Sequence, residues 1–473
     1  MSAITFFGGL WTIGGTIVML EHGDHRLLFD FGLVYEPERA VLEASIRPRA
    51  AFRLADLIRL GRVPAIDGLY AQDALRAPAG DPRLPRPFSP EGPATAVAVS
   101  HLHLDHAGAA GWVAPDIPVY GSEPSRALAE ALAEIGEGIH PARALFGVPF
   151  ETPVRHGPIR FFFVPVDHDV PGAAALFIET PEVRIVYTGD FRLHGARPEL
   201  TAAFLERARA FRPDLLLIEG TTIGPREALP DEALTPEAPP PEGALSEADV
   251  RAALTAAFRE TEGLVVVNVY PWNLDRLEGV LQAAEAAGRR VAVEPAVAHL
   301  LRRLRGLRPL VYVPDLRAPE AGVAPEIVAA PWWEALWREA DGVDAATIRQ
   351  APEAFVVQNR WENAFALLDL PTAGGRYIQS GGEPMGGFDP RWRHLEAFVR
   401  KLGMTLSVVH SGGHAWPGDL LRAAAAIGAP TVVPLHSRFP ERLAVRLPGA
   451  VFPAAGRRYR LRRLAAERGV VLK

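Results

Sequence analysis

Six consecutive residues, His101-Leu102-His103-Leu104-Asp105-His106, place three imidazoles and a carboxylate directly after the short, mostly apolar run Ala94–Val99. An apolar run of that length reads as a buried strand, so the polar cluster falls on the loop that leaves it. A lone histidine is more often a satisfied surface or core residue. Three histidines with an aspartate at this spacing point to metal ligands instead. A loop leaving a strand can turn His101 and His103 to one ion and Asp105 and His106 to a second. The chain contains no cysteine, which excludes disulfides and thiolate sites. Any metal must then be held by neutral imidazole and carboxylate, the ligands of a cysteine-free zinc or manganese site.

Further ligands are sought at other strand ends. His168 follows the run Phe161–Val166, Asp190 follows Arg184–Thr188, and His436 follows Thr431–Leu435. Each alone is a weak signal, because a strand-end Asp or His is commonly a turn residue. With the first cluster they complete two sites. Other strands are expected at Ile4–Phe7, Thr16–Glu21, Arg26–Phe31 (which contains Asp30), Ala174–Glu179, Leu215–Glu219 and Thr405–His410. Helices are expected at Glu123–Ala133 and Asp419–Ile427. Residues from about Tyr35 to Pro93 mix short helical patterns with many prolines and read as an elaborated surface insertion.

At 473 residues the chain is too long for one ordinary core, so two domains are expected. The segment Leu229–Ala244 is rich in Pro and Glu and reads as a boundary. Ser246 with Asp249 offers a capping box for a helix reaching Glu260. The run Leu264–Tyr270, a helix around Leu274–Ala287 and the run Arg290–Glu294 follow. This alternation suggests a small doubly wound α/β unit continuing to Gly381-Gly382. The expected division is 1–223, an inserted 224–382, and a returning 383–473.

Hydrophobic content of 48% and charged content of 22% suit a soluble globular enzyme. A net charge of -6 argues against a wholesale basic surface, although a local basic groove can still hold nucleic acid. Lysine occurs only at Lys401 and Lys473. That arginine bias reads first as codon usage and second as a fit to bidentate phosphate contacts. Met1–Leu20 is uncharged but lacks a basic start and is broken by Gly8, Gly9, Gly14 and Gly15. It reads as two strands around a turn, so no membrane partner is expected and a cytoplasmic location is the default.

On these residues the chain resembles the metallo-β-lactamase fold, whose signature is the His-x-His-x-Asp-His loop at His101–His106. The resemblance implies an αββα sandwich with two zinc ions per chain, manganese being the alternative. One ion would sit on His101, His103 and His168, the other on Asp105, His106 and His436. Asp190 would bridge them, and Asp30 would stand behind the ligands. A narrower resemblance rests on Leu217-Ile218-Glu219-Gly220-Thr221, His410-Ser411-Gly412-Gly413-His414-Ala415 and Pro434-Leu435-His436. These look like motifs of the β-CASP nucleases, which insert a domain where the strand–helix segment from about Gly224 to Gly382 stands. The arrangement is similar to the ribonuclease J group.

That resemblance implies a metal-dependent ribonuclease, exo- or endonucleolytic, hydrolysing phosphodiester bonds of single-stranded RNA. Two metals would share a hydroxide nucleophile. Asp105, Glu219 and His414 are the expected catalytic residues, with Glu219 orienting His414 as general acid. Ser380, Gly381, His410, Ser411 and Gly413 are candidate contacts to substrate phosphate, in part through backbone N–H groups at glycine turns. For Ser380-Gly381-Gly382 a plain turn is an equal reading. In this family a histidine in the position of His436 goes with RNA enzymes, and an aliphatic residue with the DNA-directed branch. The alternatives are therefore a DNA-directed nuclease or a non-catalytic subunit of an RNA-processing assembly, and a homodimer is allowed for. Two departures stand out. Gly412 replaces the usual serine, and Asp169 stands where a small hydroxyl residue is more usual. Little chain follows the basic stretch from Arg457 to Arg463, so the extra C-terminal domain of ribonuclease J is not expected. Arg302, Arg303, Arg305 and Arg308 read as a solvated helix face, and Trp332, Trp333 and Trp337 as core aromatics. His140, His156, His194, His299 and His394 read as surface or structural.

Overall fold

A computed structural model describes residues 1–34, 46, 49–77 and 81–464. Parts of the expected 35–93 insertion and the last nine residues lie outside that description. Among the described residues there are twenty strands. The first six are β1 (Ser2–Gly8), β2 (Ile17–His22), β3 (His25–Phe29), β4 (Ala94–Ala98), β5 (Val119–Ser122) and β6 (Phe146–Val148). Next come β7 (Val154–His156), β8 (Ile159–Pro165), β9 (Ala174–Glu179), β10 (Arg184–Tyr187) and β11 (Leu215–Glu219). A third group is β12 (Val265–Asn268), β13 (Arg290–Val293), β14 (Leu310–Val313), β15 (Gly342–Asp344), β16 (Phe355–Gln358), β17 (Arg376–Gln379) and β18 (Thr405–Val408). The chain closes with β19 (Thr431–Leu435) and β20 (Arg458–Arg460).

Two mixed sheets, ordered β20-β1-β2-β3-β4-β5-β6 and β19-β11-β10-β9-β8-β7, stack face to face. Successive strand residues point to opposite faces. Ile4 and Phe6 of β1, Val18 and Leu20 of β2, and Leu27 and Phe29 of β3 therefore all turn inward. They meet Phe161 and Phe163 of β8, Leu176 and Ile178 of β9, and Leu215 and Leu217 of β11 in one buried cluster. The intervening Phe162, Phe177, Leu216 and Ile218 turn outward, onto Phe204 and Ala208 of the helix Pro198–Phe211 and Leu420 and Ala424 of the helix Pro417–Ile427. The helices Arg53–Arg59 and Glu123–Glu134 cover the other outer face through Leu54, Ile58, Leu128 and Leu132. The result is the expected αββα sandwich. The surface reading of the 35–93 segment is corrected where it is described. Leu54, Ile58, Val63, Ile66, Leu69 and Tyr70 all enter the core. Frequent prolines break any helical period there, which hides the apolar positions from a periodicity argument.

The third sheet is wholly parallel, in the order β15-β14-β13-β16-β12-β17-β18. Its short Val-rich strands are covered on both sides, as a parallel sheet requires. The capping box of Ser246 and Asp249 opens the helix Glu247–Glu260 that precedes it. One boundary moves. β18 pairs with β17 across Thr405↔Arg376 to Val408↔Gln379, so it does not return to the sandwich after Gly382 as expected. The helix Trp392–Lys401 serves as the crossover that a parallel pair needs. The insert's sheet therefore extends to Val408.

β8 and β10 both run antiparallel to β9, and β10, β11 and β19 are mutually parallel. Their carboxyl ends therefore share one edge. β3 and β4 are parallel to each other in the facing sheet. The loops leaving these six strands carry Asp30, His101–His106, His168, Asp190, the Glu219 strand end and His436, at the kind of edge where open α/β sheets collect ligands.

Candidate metal centre

Asp30 and His436 are each the first residue after their strand, and each holds a left-handed backbone, with φ of 56° and 52°. Non-glycine residues seldom adopt that conformation unless the surroundings demand it. Here the sharp turn returns both side chains toward the shared edge. The neighbouring loops press closely on Asp105. A Cβ at Gly32 would lie 1.7 Å from the Asp105 carbonyl oxygen, and one at Gly14 would lie 2.3 Å from Asp105 Cβ.

Two sets of ligand atoms result. His103 Nδ1 lies 3.2 Å from His101 Nε2 and 3.1 Å from His168 Nε2. Beside them, Asp105 Oδ2 lies 3.0 Å from His436 Nε2 and 3.9 Å from His106 Nε2. Asp190 Oδ2 stands between the sets, 3.7 Å from His101 Nε2, 3.0 Å from His106 Nε2 and 3.8 Å from His436 Nε2. Within each set the candidate ligand atoms all fall within 4.8 Å of one another. His106 Nε2 and both Asp190 carboxylate oxygens are buried without a hydrogen-bond partner. Buried polar atoms are nearly always satisfied, so orphans at the meeting point of imidazoles and carboxylates fit a pair of divalent cations. Asp190, Glu219, His414 and His436 form a further convergent set.

The outward nitrogens are tied down behind this layer. His101 Nδ1 is 3.0 Å from Ser100 Oγ, which donates to Asp30 Oδ2 at 2.8 Å. His106 Nδ1 is 2.7 Å from the same Asp30 oxygen, which also accepts from the Tyr187 hydroxyl at 2.5 Å. His168 Nδ1 donates to the Gly413 carbonyl at 2.5 Å, and His436 Nδ1 is 2.7 Å from Thr221 Oγ1. Such contacts fix ring orientation and tautomer. Burial, reinforced by neighbouring imidazoles, lowers the pKa of His101 well below its usual range. Burial likewise brings His168 down to about 4. Both are therefore neutral, as ligands must be. With no cation bound, the Asp190 carboxyl is held well below the usual carboxylate range; burial opposes this, but the neighbouring imidazoles of His106 and His436 outweigh it.

Glu219 is buried at the end of β11 and accepts from the backbone N–H groups of Phe191 and Thr221 at 3.1 and 3.3 Å. His414 Nδ1 lies 3.1 Å from Glu219 Oε2 and 3.7 Å from Asp190 Oδ2. Burial works against a charged imidazole there, but the Glu219 and Asp190 carboxylates prevail and raise His414 to about 10. The arrangement holds a proton on His414 and leaves Nε2 as the nitrogen not bound to Glu219.

The candidate phosphate contacts separate. The Ser380 hydroxyl donates to the Val409 carbonyl at 2.7 Å and accepts from Arg276 at 3.1 Å. The N–H groups of Ser380 and Gly382 both donate to the Asn268 carbonyl, at 2.8 and 3.4 Å. Of the two readings open for this segment, these bonds favour the plain turn, closed by Ser380 and Gly382 around Gly381, whose φ is +90°. Gly413 serves His168 through its carbonyl, and a Cβ there would lie 2.8 Å from His168 Cε1. His410 is exposed, and Ser411 Oγ is buried without a hydrogen-bond partner.

Three charged residues escaped sequence reasoning. Arg192 and Arg276 are almost fully buried and share Glu247, at 2.9 Å and 2.7 Å. Arg192 also donates to the Gly412 carbonyl at 3.0 Å, and Arg276 to the Ser411 carbonyl at 3.1 Å. They therefore shape the His410–His414 loop from behind. The only local signals were the position of Arg192 two residues past Asp190 and that of Glu247 next to a helix cap. The insert also sets the Tyr270 ring 5.6 Å from the His103 ring. Trp332 and Trp333 are buried as expected; Arg302, Arg303 and Arg305 on the helix Pro295–Arg305, and Arg308 just beyond it, pair with Glu339, Glu134, Asp275 and Glu278.

A β-lactamase superfamily domain is matched over residues 64–267. Ribonuclease J of Mycobacterium tuberculosis is 26% identical over 352 residues, covering 72% of this chain and 58% of that protein. Ribonuclease J of Mycolicibacterium smegmatis is 26% identical over 448 residues, covering 92% and 68%. The chain thus spans about 58% of the length of the first of these relatives. A crystal structure of a protein of unknown function from Enterococcus faecalis superimposes with a TM-score of 0.75 at 27% identity, covering 97% of this chain and 99% of that one. No helix among the described residues is long and apolar enough to cross a membrane.

Proposed function

From a metallo-β-lactamase fold that carries an inserted parallel-sheet domain and resembles ribonuclease J, we propose a metal-dependent ribonuclease acting on single-stranded RNA. The observation that carries this reading is the Glu219–His414 pair beside Asp190, which adds a proton donor to a two-pocket ligand set. His101, His103 and His168 would hold one divalent cation and Asp105, His106 and His436 the other, with Asp190 shared. Zinc suits the donor atoms, and manganese is an alternative. Cations bound there supply charge stabilisation for a phosphoryl group and a lowered pKa for water.

The chain's own part in the reaction is to orient and to move a proton. Glu219 fixes the His414 ring through Nδ1 and keeps it protonated. His414 then gives its proton to the leaving 3′ oxygen, a contribution of about 10²–10⁴ in rate for a well-placed acid. Ser411 and the exposed His410 are the remaining candidates for holding a flanking phosphate. The position of His436 favours RNA over DNA. Incubating metal-loaded protein with 5′-monophosphorylated, 5′-triphosphorylated and DNA versions of one oligomer tests the proposal. RNA shortened to products with 5′-phosphate ends is expected; DNA cut as fast as RNA, or RNA left intact, refutes it.

A further inference from the structure

Four of the five histidines in the two pockets have an outward nitrogen held by a neighbour: Ser100, Asp30, the Gly413 carbonyl and Thr221. The fifth, His103, faces its pocket through Nδ1, and its outward Nε2 lies 3.4 Å from Asp169 Oδ1. His103 also has the least packing to keep it in place. Its side chain is 18% exposed, against 2% or less for the other four. We propose that Asp169 is the positioning carboxylate of His103.

The geometry around Asp169 supports this. Its Oδ1 is buried and has no hydrogen-bond partner, so an acceptor is unspent 3.4 Å from an imidazole nitrogen. The carboxylate is wedged in place, since a Cβ at Gly413 would come within 3.0 Å of both Asp169 Cγ and Oδ1. That gives a reason for glycine at 413 beyond its contact with His168. A carboxylate behind an imidazole fixes the tautomer that presents Nδ1 to the pocket and raises the basicity of the ring, which a small hydroxyl residue does less strongly. The same oxygen lies 3.3 Å from His168 Nε2, so direct coordination is the competing role that the test must separate. The inference rests on the pockets holding cations and is independent of the nucleic acid cut.

The test compares the full-length protein with Asp169→Ala and Asp169→Asn variants, each loaded with Zn²⁺ and dialysed against graded chelator, with bound metal counted at each step. Visible spectra of the Co²⁺-loaded forms follow the ligand field of each site. Asp169→Ala should release one equivalent at a chelator strength about 10–100-fold lower than wild type, and the second equivalent should be unaffected. Asp169→Asn, which keeps an acceptor oxygen, should recover most of the loss with a wild-type Co²⁺ spectrum. Asp169→Ala holding both ions across the wild-type range would overturn the proposal. An Asn variant as weak as Ala, with an altered Co²⁺ spectrum, would overturn it in favour of direct ligation. Normal metal retention in a wild-type protein that leaves RNA uncut would count against the ribonuclease reading alone.

Discussion

Two histidines beside the Gly412–Trp416 segment, His194 and His414, are driven to opposite charge states by what surrounds them. His194 stacks flat on Trp416, with ring centres 4.1 Å apart, and its Nε2 faces the Gly412 carbonyl at 3.3 Å. Burial, with the Arg192 charge behind it, brings it from 6.5 down to about 4. His414 is raised to about 10 because two carboxylates outweigh the same burial penalty. The consequence for His194 has a definite sign. Between about pH 6.5 and 4 the unfolded chain binds a proton there and the folded one does not, so stability falls as pH drops through that window, by about 3 kcal/mol in all. A His194→Gln variant should show a shallower fall when urea unfolding is followed from pH 7 to pH 4; an unchanged slope would show that His194 does not contribute. For His414 the expected outcome is kinetic. His414→Ala should keep two metals by elemental analysis and lose about 10²–10⁴ of turnover, and full turnover would remove it as the acid.

Individual elements were legible to different degrees, for physical reasons. β9, β11 and β19 start and end where their apolar runs do, because strands buried on both faces have no other way to read. β18 reads as a strand, but nothing in its four residues says which edge it pairs with, and it joins the insert's sheet rather than the sandwich. The Ser246–Asp249 capping box marks the start of the helix Glu247–Glu260, but it gives no sign of what Glu247 does. Glu247 joins Arg192 of the sandwich to Arg276 of the insert, and both arginines hold carbonyls of the Ser411-Gly412 turn. Removing one partner of a buried ionic network leaves uncompensated charge, at a cost of about 3–5 kcal/mol. Glu247→Ala should therefore lower unfolding stability by that order and reduce activity further than Glu247→Gln, measured on folded protein. Equal stability of Glu247→Ala and wild type in urea would mean that the network is not a clamp.

For the whole molecule, metal and fold are linked. The pockets draw ligands from the ends of four strands in two sheets, β4, β8, β10 and β19, so the unfolded chain offers no comparable site. At free Zn²⁺ of about 100 times Kd, each bound ion should stabilise the fold by about 2.7 kcal/mol. Thermal or urea unfolding of the chelated protein, before and after Zn²⁺ is returned, checks this; coincident curves would mean the pockets do not bind Zn²⁺ tightly in the folded state. The sequence by itself determined the ligand types, because a cysteine-free chain with His101–His106 behind an apolar strand leaves little else for a metal. It also determined the alternation that makes the insert an α/β unit, because strand and helix periods are written locally. Tertiary structure alone decided which nitrogen of each histidine faces the pocket, that Ser380 and Gly382 spend their N–H groups on Asn268, and that Asp169 stands behind His103. Those are distances between residues tens to hundreds of positions apart. They depend on which strands pair and how the sheets stack, and a local pattern of residues does not encode either.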